Sequence, residues 1–309
     1  VTAYDIIGDI HGHADKLKDL LRSLGYQRVG DGYQHANRHA VFVGDFVDRG
    51  PAIGEVIKIA RATVEAGDGF AVMGNHEYNA IAFHTKVPGT SGNSDKWFRE
   101  HSDKNRKQHQ ATLTQLSPRE LSDAIAWFRT LPVTLELDGI RVEHAAWRDN
   151  QIAAIQQSLA SRGRFSTDFL AESEQVGSEL HAAIEDVLKG PELKLPSGLS
   201  ITDKAGHIRD TVRVKWYEPP TCQTYRDFHF GSDDVPNVTI DDTMTQGMTG
   251  YPADAPPVFV GHYWLTGTPT PLAPNVACTD YSVAKGGKLV AYRWDGEPVL
   301  SADKYRWTS

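Results

Sequence analysis

Three short blocks early in the chain gather most of its chemistry-bearing residues: Gly8-Asp9-Ile10-His11-Gly12, Gly44-Asp45-Phe46-Val47-Asp48-Arg49-Gly50 and Gly74-Asn75-His76-Glu77. Asp9 and His11 are two apart, so an extended chain points both side chains the same way. Carboxylate, imidazole and amide oxygen together form a mixed N/O ligand set, suited to Mn, Fe or Zn rather than to a thiolate-seeking metal. Two Asp, one His and one Asn at converging positions suggest more than one ion. Two ions about 3.5–4 Å apart clamp the attacking and leaving oxygens of an in-line displacement at phosphorus. Two later histidines follow β-like runs and are candidates to complete a coordination sphere: His144 after Arg141-Val142-Glu143, and His262 after Val258-Phe259-Val260-Gly261.

Each early block closes an apolar run: Ala3 to Ile7, Ala40 to Val43, and Phe70 to Met73. Between them, Leu17, Leu20, Leu21 and Leu24 fall at helical spacing up to Gly25, and Ile53, Val56, Ile57, Ala60 and Val64 do so up to Gly67. Strand–helix alternation with short connections predicts βαβ units and a parallel sheet. Ligands of such sheets bind beyond the carboxyl ends of the strands. Asp9, His11, Asp45, Asp48, Arg49, Asn75 and His76 therefore belong in one neighbourhood.

Residues 86–110 are polar and nearly free of aliphatics, which reads as a long loop or lid. Ser117-Pro118-Arg119-Glu120 announces a helix with a capping box and proline in its first turn. Leu135–Leu137 and Ile140–Val142 flank the tight turn Asp138-Gly139 as two strands. Residues 151–190 read as largely helical, and 190–256 as irregular with one strand at Val212–Trp216. Val258–Val260, Val276–Cys278 and Leu289–Trp294 return to strand. The expected fold is α/β: two mixed β-sheets packed as a sandwich and flanked by helices, a four-layer αββα arrangement with a lid-like insertion. We expect a single domain over 1–309, with 86–130 and 150–220 as insertions or cap segments.

The chain has 309 residues, 32 Lys+Arg against 40 Asp+Glu, and a net charge of −8. A chain of this size buries about three quarters of its unfolded surface and builds a core without disulfides. The two cysteines, Cys222 and Cys278, form no disulfide framework, and a reducing, cytoplasmic setting is the simpler expectation. No charged leader precedes the first strand, and no apolar run approaches the ~18 residues that span a bilayer. The acidic balance argues against nucleic acid as the main partner, because phosphate backbones call for a basic surface.

The blocks GDIHG, GDFVDRG and GNHE resemble those of the calcineurin-like metallophosphoesterases. The Asp48-Arg49-Gly50 form is similar to the phosphoprotein-phosphatase branch and its bacterial relatives, which include the diadenosine tetraphosphate hydrolases. The resemblance covers roughly residues 4–80, with shorter echoes around 142–147 and 258–264. It implies two divalent ions, Mn foremost, with Fe, Zn or Ni also suited. It further implies that Asp9 and His11 hold one ion, Asp45 bridges both, and Asn75, His144 and His262 hold the other. A metal-bridging hydroxide would attack phosphorus directly. Arg49 would hold the phosphate oxygens with its planar fork, and His76, oriented by Asp48, would protonate the leaving oxygen.

The chain departs from the family pattern in two places. His144 stands in His-Ala-Ala-Trp, where the protein phosphatases carry a glycine pair, and His262 stands in Gly-His-Tyr-Trp, not Gly-His-x-His. The second departure favours phosphomonoesters over diesters, by analogy with relatives. Arg148 and Arg213 are candidates for a second phosphate-binding arginine, and Tyr281 for a residue lining the site. His13, His35, His39, His84, His101 and His109 read as solvated or structural. The expected function is a phosphatase for phosphomonoesters, on phosphoprotein or a small phosphorylated metabolite. The alternative is a dinucleoside polyphosphate hydrolase, with Trp97, Trp147, Trp216, Tyr263 or Trp264 available to stack a base. A non-catalytic scaffold would require lost ligands or a lost His76, and the sequence keeps them all.

Overall fold

Alternation along the strands sorts apolar side chains between two layers. Tyr4, Ile6, Val41, Val43 and Val72 pack with Ile140, Val142, Phe259 and Ala277 in one buried cluster. Their neighbours in sequence, Ile7, Ala40, Phe42 and Ala71, face the other way and share a cluster with Leu17, Leu20, Leu21, Ile53, Val56 and Ile57. The first cluster is the seam between two sheets, and the second lies under the helices Ala14–Ser23 and Ile53–Glu65. Val258, Val260, Val276 and Cys278 also belong to the helix-covered cluster, with Ile152, Ile155, Ile184 and Val187 of the helices Asp149–Arg162 and Glu179–Lys189. The result is the four-layer αββα sandwich expected from the order of elements.

The computed structural model describes residues 2–90, 96–202, 208–221, 223–231 and 234–308. In the larger sheet the order is Asp280–Tyr281, Lys288–Trp294, Ala3–Ile7, Arg38–Phe42, Gly69–Ala71, and Tyr305–Thr308 also pairs with Lys288–Trp294. The three N-terminal strands are parallel, and Lys288–Trp294 joins them antiparallel. In the smaller sheet Val276–Cys278, Val258–Val260 and Ile140–Glu143 run parallel, and Thr134–Leu137 completes a hairpin. The parallel strands of both sheets therefore present their carboxyl ends at one edge of the sandwich. No helix among the described residues is long and apolar enough to cross a membrane. Cys278 is a buried free thiol, and Cys222 lies outside the described residues.

Two expectations need correction. Residues 86–110 do not form one long loop: 91–95 lie outside the described residues, and the helix Asp103–Gln115 begins within the segment. Ser102 caps that helix by accepting from the Asn105 backbone N–H. The segment 190–256 is also more ordered than expected. Short strands Glu192–Lys194 and Thr211–Arg213 pair, as do Ile201–Thr202 and Ile208–Arg209. They lie over a small apolar cluster that includes Leu193, Leu195, Val212, Val214 and Phe228.

Candidate metal centre and active site

The three early blocks converge at the carboxyl ends of their strands, and the backbone there is unusual. Among the described residues, His11, Asp45, Asp48, Arg49 and His262 all adopt positive φ, between 44° and 70°. Left-handed backbone at non-glycine residues costs on the order of 1–3 kcal/mol each and persists only where the surroundings enforce it. Close packing adds a second constraint: a Cβ on Gly74 would stand 2.2 Å from Asp45 Oδ1, and one on Gly261 2.1 Å from Asp9 Oδ1.

Asp45 stands at the centre. Its Oδ2 is 3.5 Å from His11 Nε2 and 4.0 Å from His76 Nε2. Its Oδ1 is 3.5 Å from His144 Nε2. Asn75 Oδ1 lies 2.9 Å from His144 Nε2 and 2.8 Å from His262 Nδ1. Asp9 accepts from the His262 backbone N–H at 3.1 and 3.2 Å. Two groups of possible ligand atoms result, His11/Asp45/His76 and Asp9/Asp45/His144, each within 4.8 Å. Asp45 belongs to both. Asp9 shares a group with His144, and His11 shares one with His76.

The donor set fits divalent cations on three observations. The ring nitrogens His11 Nδ1 and His144 Nδ1 lie 2.8 and 2.7 Å from the carbonyls of Val47 and Val43. In a neutral imidazole, an Nδ1–H donated to a carbonyl leaves Nε2 as a lone pair, the usual arrangement of a metal-ligating histidine. His11 Nε2 is buried and has no hydrogen-bond partner. Third, the charges call for a cation. Burial, then Asp280 and Asp45, push Asp9 well up. Burial opposes the charged form of Asp45, but His144 and His76 outweigh it and hold that carboxyl well below its usual range. Burial likewise opposes charge on His144, yet Asp45 drives the imidazole up to about 10. Opposite charges within a few ångströms favour ionisation, and this centre draws positive charge to itself.

His76 and Asp48 make the next shell. His76 Nδ1 lies 2.5 Å from Asp48 Oδ2. Burial opposes protonation of His76, but Asp45 and then Asp48 raise it overall. Burial would raise Asp48, but hydrogen bonds from His109 and His76 hold it below the usual carboxylate range. Glu77 supports the arrangement from beneath. Its carboxylate accepts from the backbone N–H groups of Gly74, Asp45, Phe46 and Val47 at 2.8–3.3 Å. Burial, with Asp45 nearby, pushes Glu77 up to about 7.

A cavity of about 380 Å³ opens over this centre, within the range of small-molecule sites. Asp45, Arg49, Asn75, His76 and His262 line its floor, and Arg209, Arg213, Phe230, Tyr263, Trp264 and Lys285 line its walls. The Arg49 guanidinium sits 4.1 Å from the Trp264 ring centroid, and Lys285 Nζ 3.9 Å from it. Arg213 pairs with Glu192 at 3.3 Å. The other two substrate-binding candidates are placed elsewhere. Arg148 precedes the helix Asp149–Arg162 and acts electrostatically on Asp186. Tyr281 is buried, its hydroxyl accepting from the Thr270 N–H.

Several site residues had no assigned role in the sequence. Glu77 lies inside the third block and was in view. Trp264 did have an assigned role, as a ring available to stack a base, and its contact with the Arg49 guanidinium is what the sequence did not show. His109 and Thr112 gave no local signal, because their partner Asp48 is 61 and 64 residues away. His109 is not solvated; it is 5% exposed against Asp48.

The family profile for calcineurin-like phosphoesterases matches residues 4–242. The chain belongs to that family, whose members are hydrolases of phosphoric esters. It is 48% identical over 73 residues to the asymmetrical bis(5'-nucleosyl)-tetraphosphatase PrpE of Oceanobacillus iheyensis, 23% of this chain and 29% of the relative. It is 28% identical over 154 residues to the symmetrical bis(5'-nucleosyl)-tetraphosphatase of Aromatoleum aromaticum, 50% of this chain and 48% of the relative. The matches thus span less than half the length of these curated relatives. A protein serine/threonine phosphatase of Saccharomyces cerevisiae shares the fold at TM-score 0.52 and 13% identity, over 99% of this chain and 79% of that one.

Proposed function

We propose that this chain is a phosphatase dependent on two divalent ions, acting on phosphomonoesters at the Asp45 centre. One observation carries the reading: Asp45 reaches toward two histidines at once, 3.5 Å from His11 through Oδ2 and 3.5 Å from His144 through Oδ1. Asp9, His11, Asp45, Asn75, His144 and His262 would hold the ions, with Mn foremost and Fe, Zn or Ni compatible with the same donors. Bound there, the ions supply Lewis-acid activation of water and neutralise charge at phosphorus.

The chain's own residues do the rest. Arg49 grips phosphate oxygens with its planar fork, and the Trp264 face holds that fork over the floor of the cavity. His76 delivers a proton from Nε2 to the leaving oxygen while Nδ1 stays on Asp48. The two cap segments, 86–130 and 150–220, contribute Gln108, Glu192, Arg209 and Arg213 to the cavity around this floor. Arg213 is the better second phosphate-binding arginine, since it lines the cavity.

A second reading, hydrolysis of a dinucleoside polyphosphate, is favoured by the walls. Arg49, Arg209, Arg213 and Lys285 line the cavity, with Glu192 the wall carboxylate among the described residues, in a chain of net charge −8. Phe230, Tyr263 and Trp264 offer ring faces beside these cationic side chains. The similarity to bis(5'-nucleosyl)-tetraphosphatases points the same way. Mn-dependent hydrolysis of p-nitrophenyl phosphate, a phosphopeptide and diadenosine tetraphosphate, with and without chelator, tests both. Chelator-sensitive turnover of the monoesters supports the first reading. Release of ADP, or of ATP and AMP, as the clear winner replaces it with the second. Turnover insensitive to chelator contradicts both.

A further inference from the structure

The helix Asp103–Gln115 buries little apolar surface; its two fully buried residues are His109 and Thr112. His109, Thr112 and Gln115 are spaced three apart and share one face, and all three bind the Asp48-Arg49-Gly50 turn. The His109 Nδ1 lies 2.7 Å from Asp48 Oδ1, and since an ionised carboxylate only accepts, the imidazole donates. Thr112 Oγ1 donates to the same Oδ1 at 2.6 Å and accepts from the Asp48 backbone N–H at 3.0 Å. The Gln115 side chain donates to the Gly50 carbonyl at 2.8 Å and accepts from the Ile53 N–H at 2.9 Å.

Asp48 is thus divided. Oδ2 faces His76, and Oδ1 is filled by two donors from one helix. The turn it sits on needs such bracing, because Asp48 and Arg49 hold φ of 66° and 69°. The terminal torsion of an aspartate is broad and roughly two-fold, so engaging both oxygens narrows it. We propose that His109, with Thr112, is a positioning residue for proton delivery: it fixes the carboxylate plane of Asp48 and thereby the aim of the His76 ring. The inference rests on the reading of His76 as the proton donor, and goes beyond it by making a helix outside the three blocks part of the acid's machinery.

The test uses the Mn-loaded full chain and two phenyl esters that differ only in how much they need a proton. Phenyl phosphate has a poor leaving group, and p-nitrophenyl phosphate a good one. His109→Ala is expected to lower kcat on phenyl phosphate by about 10- to 100-fold, at most the lower end of general-acid effects, because the acid itself stays in place. The fall on p-nitrophenyl phosphate is expected to be severalfold smaller, with KM and bound metal unchanged. Thr112→Val follows in the same direction with a smaller loss. His109→Asn, which keeps an N–H near the position of Nδ1–H, recovers most of the loss. An equal fall on both esters, loss of bound metal, or no recovery in His109→Asn overturns the inference.

His76→Ala separates this inference from the reading beneath it. If His76→Ala depends on the leaving group and His109→Ala does not, only the positioning role falls. If His76→Ala shows no such dependence, the acid assignment falls and the inference with it. A readout without turnover is the downfield proton resonance of His76 Nδ1–H. It is expected to persist in His109→Asn and to shift or broaden in His109→Ala; an unchanged resonance in His109→Ala overturns the inference.

Discussion

The strand ends and the helix Asp103–Gln115 meet at Asp48, and they are held there by different forces. Ile6, Ile7, Val41, Phe42 and Met73, just upstream of the metal-facing residues, are all fully buried. Their placement follows from apolar burial worth about 25 cal/mol per Å², which is strong and non-directional. The helix buries an imidazole and a threonine instead, and it docks through hydrogen bonds worth only about 0.5–1.5 kcal/mol net each. Those bonds are weak but directional. The strand ends place the candidate ligands, and the helix holds two donors on one carboxylate oxygen of Asp48. Changes at the strand ends should therefore remove the reaction or the fold, and changes on the helix should trim rate and local stability.

The largest effect falls on Asp45, the proposed shared ligand. Asp45→Asn is expected to reduce turnover by on the order of a thousandfold or more, with circular dichroism unchanged; steady-state kinetics on the best substrate reads it. Next is Glu77→Ala, which strands four backbone donors beneath the centre. Each buried donor left unsatisfied costs about 1–3 kcal/mol, seen together as a lower midpoint in urea unfolding. Arg213→Ala, on the cavity wall, is expected to raise KM about tenfold with little change in kcat, consistent with losing one charge-assisted hydrogen bond of about 1.5–3 kcal/mol. Gln115→Ala is the smallest. It removes two bonds to the Asp48 turn and its neighbour, costs about 1 kcal/mol, and speeds amide exchange in Asp103–Gln115 more than in the strands. If Gln115→Ala instead destabilised the whole chain as strongly as Glu77→Ala, the contrast between the two regions would not hold.

The same contrast explains what was legible in the sequence. The early strands and helices could be read because their apolar residues repeat at the period of the element, as Leu17, Leu20, Leu21 and Leu24 do. The candidate ligand residues of the three blocks could be read because they follow those runs directly. The sequence of the Asp103–Gln115 helix has no such period, since the face it buries is polar, and it passed for a loop. The capping box at Ser117 and Glu120 was visible because it is local. Arg213 and Arg148 looked alike in sequence, and only the pairing of Thr211–Arg213 with Glu192–Lys194 puts Arg213 into the cavity wall. His109 is the clearest case: its chemistry lies wholly in a contact across 61 residues, which neither periodicity nor local motif encodes.

The central claim is that Asp45 joins two cation sites that perform the reaction. The most direct measurement is the metal content per chain, by elemental analysis after Mn loading and desalting, beside chelator-sensitive turnover, in the parent chain and in Asp45→Asn. The account predicts about two ions per chain in the parent, a loss of bound metal in Asp45→Asn, and turnover abolished by chelator and restored by Mn. Undiminished turnover after complete metal removal, or an Asp45→Asn variant that keeps both its metal and its rate, would contradict it.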